Sequence, residues 1–168
     1  MFRTKLQTAI KAKQDGFTVP ELLLMVLIII ILAGLVLTNY QAAQAKERDT
    51  QRVKDINLID TKLETYYNEK NAYPATFTAT EIFNIDGDAL KDPNGKTIVI
   101  HPAVADSTAA QAVANPLATS SSSYIYIPYP AGCTNEANNC TGFVLKTYIE
   151  KSTSTTPNPY VKVGINNN

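Results

Sequence analysis

The ionisable residue with the most unusual sequence context is Glu21, which directly precedes an uninterrupted apolar run, residues 22–37. An acid deep in a bilayer costs on the order of 2.5–3.5 kcal/mol on insertion scales, so such a group usually has a partner. Cleavage after Gly16 would supply one, because the new amino group on Phe17 lies four residues before Glu21. Residues i and i+4 share a helix face, so the amine and the carboxylate could pair within or between chains. The alternative is a carboxylate that stays hydrated at the headgroup boundary.

The apolar run has the length of a membrane-spanning helix. Residues 17–37 would extend about 31 Å at about 1.5 Å per residue, close to a bilayer core of about 30 Å. A helix in the core of a soluble domain would show a polar face, and this run has none. We therefore predict a transmembrane helix over residues 17–40. The basic segment before it, residues 1–16, is expected to stay cytoplasmic, which sends the C-terminal part outward.

The string Gly-Phe-Thr-Val-Pro-Glu at residues 16–21, followed by Leu-Leu, resembles the cleavage and methylation motif of type IV pilins and pseudopilins. In that family a membrane peptidase cuts after the glycine and N-methylates the new terminal residue. The resemblance implies that residues 1–16 are a leader peptide, that Phe17 becomes the methylated terminus and that Glu21 is the carboxylate required for assembly. Pro20 departs from the usual aliphatic residue, but the first turn of a helix tolerates proline.

Ordinary signal cleavage is the alternative for the N-terminal region. A secretory signal is cut after its apolar stretch at an Ala-x-Ala-like site, and residues 42–45 offer such a site. That interpretation leaves the motif at residues 16–21 unexplained. Asp15 is also less typical of a processing site than a basic residue.

A second helical pattern follows the apolar run. Apolar residues recur at spacings of three and four at Val53, Ile56, Ile59, Leu63, Tyr66 and Tyr67. They predict an amphipathic continuation of the helix over residues 41–73, ending before Tyr73-Pro74 because proline disfavours helix in the residue before it. The charged residues between 46 and 55 lie mostly off this face and predict a solvated surface, which could also contact neighbouring subunits. Residues 48–74 also resemble the second half of the pilin helix, especially in relatives of the major pseudopilin of type II secretion.

Residues 74–168 are predicted to form an exported β-rich head. The strand candidates are residues 97–101, 124–129, 143–150 and 160–165, each rich in β-branched or aromatic residues. Asp-Pro-Asn-Gly at 92–95 predicts a turn, and short helices or turns are expected within 80–90 and 108–114. Such a sheet cannot bury both faces alone, so the amphipathic helix should cover one of them. The predicted fold class is α+β, a pilin fold in which the long helix packs on a small antiparallel sheet.

Cys133 and Cys140 flank a short polar segment between two strand candidates. A disulfide there would close a hairpin loop and contribute about 2–3 kcal/mol in the chain-entropy model. Two cysteines with no nearby histidine are too few ligands for structural zinc. The loop is expected to be exposed and variable.

Three acids are weak candidates for a calcium site, because some pseudopilin heads bind this ion. They are Asp86, Asp88 and Asp92, and their spacing lacks the full ligand set of a dedicated loop, which favours a solvated turn. His101, the only histidine, has no candidate nucleophile beside it. Tyr124 and Tyr126 share one strand face, which we interpret as half-buried sheet. Asn139 and the hydroxyls of residues 152–156 fit glycan acceptors, patterns that are frequent by chance. The sequence predicts no enzyme, no metal and no cofactor.

Together these features predict a structural subunit of a type IV pilus-like filament that polymerises with copies of itself for adhesion, motility or DNA uptake. It would wait in the cytoplasmic membrane with its head outside, be processed by the prepilin peptidase and pass through the pilus assembly machinery to an extracellular fimbrium. The alternatives are a pseudopilin of a type II secretion system and a membrane-anchored binding domain that never polymerises. Without its leader the chain is mildly acidic, which argues against broad nucleic-acid binding, although a few tip residues could suffice.

Overall fold

The computed structural model describes residues 16–78, 87–115 and 122–164. The chain divides into two compact units, Met1–Gln41 and Ala42–Asn168. The long helix α1, Val19–Lys70, contains 52 residues. In the first unit, large apolar side chains between Phe17 and Leu32 are exposed. Within the described ranges, no helix combines the length and hydropathy needed to cross a membrane. The membrane-spanning role of residues 17–40 stays a prediction.

Helix α1 ends at Lys70, one residue from the predicted end near Asn71. Asn71 adopts a left-handed conformation with φ of 56°, and its N–H donates to the carbonyl of Tyr67 at 2.7 Å. This is a common way for a helix to stop, since it satisfies a carbonyl of the last turn while redirecting the chain.

The second unit contains a four-stranded sheet in the order β1-β2-β3-β4. Its strands are β1 (Val99–Ile100), β2 (Tyr124–Tyr129), β3 (Gly142–Thr147) and β4 (Tyr160–Val163). Strand β3 is antiparallel to both β2 and β4. The α+β class and the predicted range of β2 are confirmed.

The prediction of a wholly antiparallel sheet is wrong, because β1 runs parallel to β2, with Val99 opposite Ile125. A parallel neighbour requires a crossover connection. Helix α2 (Ser107–Ala112) lies in the connection between these strands, within the predicted range 108–114 apart from its first residue. The side chain of Asp106 caps α2 by accepting from the N–H of Ala109 at 2.8 Å.

Three predicted strands, β1, β3 and β4, are shorter than expected, and β4 ends at Val163. Strand β1 loses its start because Thr97 forms a separate bridge with Lys91. Strand β3 stops at Thr147. The N–H of Tyr148 still donates to the carbonyl of Ser123, but the N–H groups of Ile149 and Glu150 donate to the side chains of Asn158 and Asp49 instead. A short 3-10 helix, Gly87–Leu90, falls at the end of the predicted helix or turn, whose earlier part lies outside the described residues.

Both faces of the sheet are covered. On one face, Ile56, Ile59 and Leu63 of α1 form a core with Tyr124, Tyr126, Phe143 and Leu145 of the sheet. On the other, Ala110 of α2 packs with Ile127 and Val144. Tyr124 and Tyr126 share a face, as predicted, but they are fully buried rather than half-buried. The amphipathic pattern thus correctly predicts which helix face meets the sheet.

Candidate functional site

The residues of the N-terminal motif lie at the start of α1. Gly16 and Phe17 precede the helix and are exposed, and Glu21 is the acidic residue of its first turn. A negative charge there interacts favourably with the positive end of the helix dipole. Pro20 also lies in the first turn, where proline is tolerated. An amino group on Phe17 exists only after cleavage, so its pairing with Glu21 stays a prediction.

Four charged side chains fasten the next part of the helix to the segment after β3. We call Arg48, Asp49, Arg52 and Glu150 the charge cluster. Arg48 binds Glu150 in a bidentate manner, from Nε to Oε1 at 2.8 Å and from Nη2 to Oε2 at 2.6 Å. Nη1 of Arg52 donates to Asp49 at 2.7 Å and to Glu150 at 2.8 Å. The two arginines therefore balance the two carboxylates.

The backbone of the segment after β3 completes this cluster. The N–H groups of Glu150 and Lys151 donate to the two carboxylate oxygens of Asp49 at 2.9 and 2.8 Å. Asp49 therefore holds both a side chain of its own helix and the backbone of a segment about a hundred residues away. The contact fixes the position of this segment against α1.

Both arginines determine the electrostatics of the cluster, and Arg52 is the buried one. Its side chain is 0% exposed, and its guanidinium lies 5.7 Å from the centre of the Tyr148 ring. Hydrogen bonds from Arg48, and then from Arg52, lower the pKa of Glu150 from its usual value of 4.5 to about 2, although desolvation opposes this shift. Nε and Nη2 of Arg52 have no hydrogen-bond partner. A buried cation of this kind is retained only because its two carboxylate partners offset its desolvation.

The charge cluster was not predicted, because the charged residues 46–55 were expected to form a solvated surface. That prediction is wrong for Asp49 and Arg52, which are buried. The signal for a pair was present in the spacing of three, which places both residues on one side of the helix. Glu150, however, is far away in sequence and showed no pattern that linked it to them.

Polar side chains continue the attachment along α1. The Tyr124 hydroxyl donates to Asp55 at 2.7 Å, and the Tyr160 hydroxyl donates to Asn57 at 3.2 Å. Lys162 lies 3.6 Å from Asp60. Desolvation raises the pKa of Asp60, and the charge of Lys162 only partly opposes the shift. Burial likewise raises the pKa of Asp55 against the bond from Tyr124.

The disulfide loop, residues 133–140, packs at the C-terminal end of α1. Cys133 and Cys140 are joined by an S–S bond of 2.12 Å. The loop residues between them are exposed, but the amide of Asn138 donates to the carbonyl of Lys70 at the helix end. The N–H of Tyr73 donates to the carbonyl of Cys140 at 2.9 Å. The loop therefore satisfies part of the helix terminus.

Asn135 anchors the same loop to the chain just beyond the helix. Its side-chain oxygen accepts from the N–H of Ala75 at 2.6 Å, and its amide nitrogen donates to the carbonyl of Thr76 at 2.7 Å. The sequence described this loop only as exposed surface. Its capping role was not predictable, because the partners lie about sixty residues apart.

The calcium candidates have other contacts or lie outside the described residues. Asp86 is outside them, and Asp88 pairs with Lys91 at 2.8 Å. Asp92 accepts from the N–H groups of Asn94, Lys96 and Ser123, each at 2.9 Å. Desolvation favours the neutral acid, but these donors together lower the pKa of Asp92. Asp92 thus organises the predicted turn at residues 92–95. Across the described ranges, no group of three or more potential ligand side chains could hold a metal.

The histidine and the candidate glycan acceptors singled out from the sequence have local contacts. Nδ1 of His101 lies 2.7 Å from the carbonyl of Pro102. The side chain of Asn139 accepts from the N–H of Thr134 at 2.9 Å. Residues 152–155 are exposed, and the Thr153 hydroxyl lies 2.7 Å from that of Thr156.

The fold and these contacts define an α+β protein in which a small mixed-sheet head is fastened to the second half of a long N-terminal helix. The chain is similar to curated relatives named type II secretion system core protein G, of which we describe three. The chain is 35% identical to the protein of that name from Aeromonas hydrophila over 66 residues, which are 39% of this chain and 46% of the relative.

The other two matches cover a similar share. The chain is 33% identical over 64 residues to the protein from Pectobacterium carotovorum subsp. carotovorum, covering 38% of this chain and 41% of the relative. It is 34% identical over 64 residues to that from Escherichia coli (strain K12), covering 38% and 44%. The chain thus spans less than half the length of the relatives it matches. No family model matches the chain. No solved structure matches it. The resemblance to the type IV pilin-like family is confirmed over the matched part.

Proposed function

We propose that this chain is a filament-forming pseudopilin of a type II secretion system. The observation that carries the proposal is the similarity to relatives named type II secretion system core protein G. The sequence alone favoured a surface pilus and kept the secretion pseudopilin as the alternative. The relatives support that alternative better, because the pilus interpretation rests on the broader family resemblance.

In this proposal the N-terminal motif carries maturation and assembly. The prepilin peptidase hydrolyses the bond between Gly16 and Phe17 and transfers a methyl group from a methyl-donor cosubstrate to the new amino group, which releases a proton. Residues 17–40 anchor the chain in the cytoplasmic membrane, with the head outside, and then pack against those of other copies in the filament. The Glu21 carboxylate would be costly in such a dry environment, and the Phe17 amine of a neighbouring copy offsets that cost.

The attachment of the head supports a mechanical role. A subunit drawn into a filament by its apolar segment must carry its folded head along. The charge cluster and the polar contacts to Asp55, Asn57 and Asp60 hold the sheet and its flanking segment to residues 48–60 of α1. Displacement of the helix would therefore move the head as one body, without local unfolding at the attachment.

The test is disruption of the gene in its native host, combined with mass spectrometry of the N-terminal peptide. A secretion pseudopilin should be processed to Phe17 and recovered with the envelope, and its loss should leave exported proteins trapped inside the cell. Abundant processed protein in sheared surface material, with secretion intact, would instead establish a surface pilus. An intact Met1 would contradict both filament interpretations and favour the non-polymerising binding domain.

A single substitution tests the assembly role of Glu21. We expect Glu21→Ala to insert into the membrane normally but to reduce filaments sharply, since the charge that selects the incoming amine is missing. Glu21→Asp is the matched control, because it keeps the carboxylate. Normal filaments from Glu21→Ala would exclude the pairing.

A further inference from the structure

A half-open groove of about 620 Å³ lies beside the charge cluster. One wall is a face of α1 between Ala42 and Lys54, and the other is the segment 151–156. Its apolar lining includes Ala42 and Val53. Three exposed lysines, Lys46, Lys54 and Lys151, line it, and we call it the basic groove.

The charge of the basic groove is not cancelled from within. Asp49, its one acidic lining residue, is already bound to Arg52 and to the backbone of Lys151. For Lys46 and Lys151, the described parts of the chain supply no ion-pair partner. Asp55 is close enough to Lys54 to interact with it electrostatically, but it also accepts the Tyr124 hydroxyl.

The spacing of the lining residues places the groove along one face of the helix. Lys46, Thr50 and Lys54 follow each other at intervals of four and therefore share one helix face. Glu47, the nearest exposed acid in sequence, lies off that face. The opposite wall is held in place because the N–H groups of Glu150 and Lys151 are bound to Asp49. The groove is thus formed before any partner arrives.

The C-terminal end of the same helix carries the complementary charge. Glu69 and Glu136 are both exposed, and neither has an ion-pair partner within the described ranges. Glu136 belongs to the disulfide loop, which reaches the helix end through the bond from Asn138 to Lys70. Among the described residues at this helix end, the two carboxylates outnumber the one cation, the exposed Lys70. Lys46 and Lys70 are separated by about 36 Å along the helix at about 1.5 Å per residue.

We propose that the basic groove binds the acidic helix end of a second copy of this chain, with Glu136 as the central contact. Two different patches at separate positions along one helix form a head-to-tail interface, which extends into an open polymer instead of closing into a dimer. Charge complementarity of this kind fixes the register of an interface and disfavours wrong neighbours. The proposal rests on the filament function above, to which it adds the head surfaces that contact each other.

The first test is zero-length carbodiimide cross-linking of wild-type filaments, followed by peptide mass spectrometry. We expect bonds between Glu136 and one of the three groove lysines. Within one chain these groups are too far apart for such a bond, so each cross-link reports two copies. Filaments in which Glu136 cross-links only to residues outside the groove would overturn the proposal.

Charge reversal gives an independent test in the full-length protein. The triple variant Lys46→Glu, Lys54→Glu and Lys151→Glu should lower filament yield at least about tenfold, because like charges then face each other. Glu69→Lys with Glu136→Lys should do the same, and all five changes in one chain should restore filaments. Lys62→Glu, which changes a partly exposed lysine of α1 outside the groove, is the matched control and should assemble normally.

Two outcomes separate this proposal from the proposed function. Normal filaments from both reversed variants would overturn the head contact while leaving the filament function intact. No filaments from wild-type cells would overturn both. If the triple variant assembled normally but lost binding to vesicles containing anionic phospholipid, the groove would be a lipid site and the proposed contact would be wrong.

Discussion

The helix segment that carries the head is fastened at its two ends by different chemistry. Around residues 48–52 the bonds are ionic, and the central cation, Arg52, is completely buried. At Lys70 the bonds are neutral amide contacts from a loop closed by a disulfide. The ionic end depends on every partner being present and charged, since an uncompensated buried charge is costly. The neutral end depends on a covalent bond that is independent of charge.

The largest expected effect comes from removing the buried cation. Arg52→Met should destabilise the protein by about 3–5 kcal/mol, because Asp49 and Glu150 lose a shared partner in a buried site. The measurement is urea unfolding of the full-length protein in detergent, followed by tyrosine fluorescence. Arg48→Met is the matched control, since the Arg48 side chain is 34% exposed and its pair is better screened. Equal losses from the two variants would contradict the central role of Arg52.

Removing the covalent bond should produce the next largest effect. The double variant Cys133→Ser and Cys140→Ser should lose about 2–3 kcal/mol, the range expected for a short closed loop. Hydrogen exchange should increase at the N–H groups of Asn71, Tyr73 and Ala75, which lie at the neutral end. The N–H of Lys151 at the ionic end should keep its protection. A uniform increase across both ends would show that the two attachments are not independent.

The difference between the two ends also explains what the sequence could predict. Helix α1 and strand β2 follow from local patterns, because the apolar stripe of the helix and the β-branched and aromatic content of β2 are properties of neighbouring residues. The end of β3 was missed because Asp49 captures the N–H of Glu150, about a hundred residues away. The parallel pairing of β1 was missed for a related reason: its direction depends on the connection from β1 to β2, which no local pattern specifies.

The same limit applies to the candidate sites. The motif at residues 16–21 was recognisable because it is contiguous in sequence. The charge cluster and the basic groove combine residues near 50 with residues near 150, so no local pattern contained them. Charged residues on a predicted helix are usually solvated, and only the tertiary contacts distinguish the buried Arg52 from the exposed Lys54.

Acid should weaken the ionic end selectively. The pKa of Glu150 is lowered in the folded state from 4.5 to about 2, so its contribution is present above pH 4.5 and is lost as the pH falls towards 2. Glu150→Gln should therefore be less stable than the wild type at pH 7, and the difference should shrink steadily below pH 4.5. The effect should be smaller than that of Arg52→Met, since the Glu150 side chain is 22% exposed. Unfolding curves at several pH values would measure it.

The raised pKa values of Asp55 and Asp60 act in the opposite direction. Both acids are partly desolvated, so their protonation favours the folded state as the pH falls through their raised values. Asp55→Asn keeps an oxygen that can accept from Tyr124 while removing the charge. In the same series of unfolding curves, Asp55→Asn should remove the change of the unfolding free energy with pH that arises from Asp55. If the stability of Glu150→Gln depended on pH below 4.5 in the same way as that of the wild type, acid sensitivity could not be assigned to the ionic end.

The smallest expected effect concerns the neutral cap alone. Asn138 has a left-handed conformation, with φ of 49°, and its side chain donates to the carbonyl of Lys70. Asn138→Gly removes the hydrogen bond but suits this conformation, so it should cost about 1 kcal/mol. Asn138→Ala removes the same bond and adds the strain of a left-handed non-glycine residue, about 1–2 kcal/mol more.

The two variants together separate the cap from the backbone conformation. If the hydrogen bond from the Asn138 side chain to the carbonyl of Lys70 secures the helix end, both variants should increase hydrogen exchange at Asn71. Asn138→Ala should in addition be less stable than Asn138→Gly. Neither change touches a charged group, so the pH dependence assigned to Glu150 should stay that of the wild type in both. A shift of that dependence in Asn138→Gly would mean that the helix transmits changes from one end to the other, and the two attachments would then form a single cooperative structure.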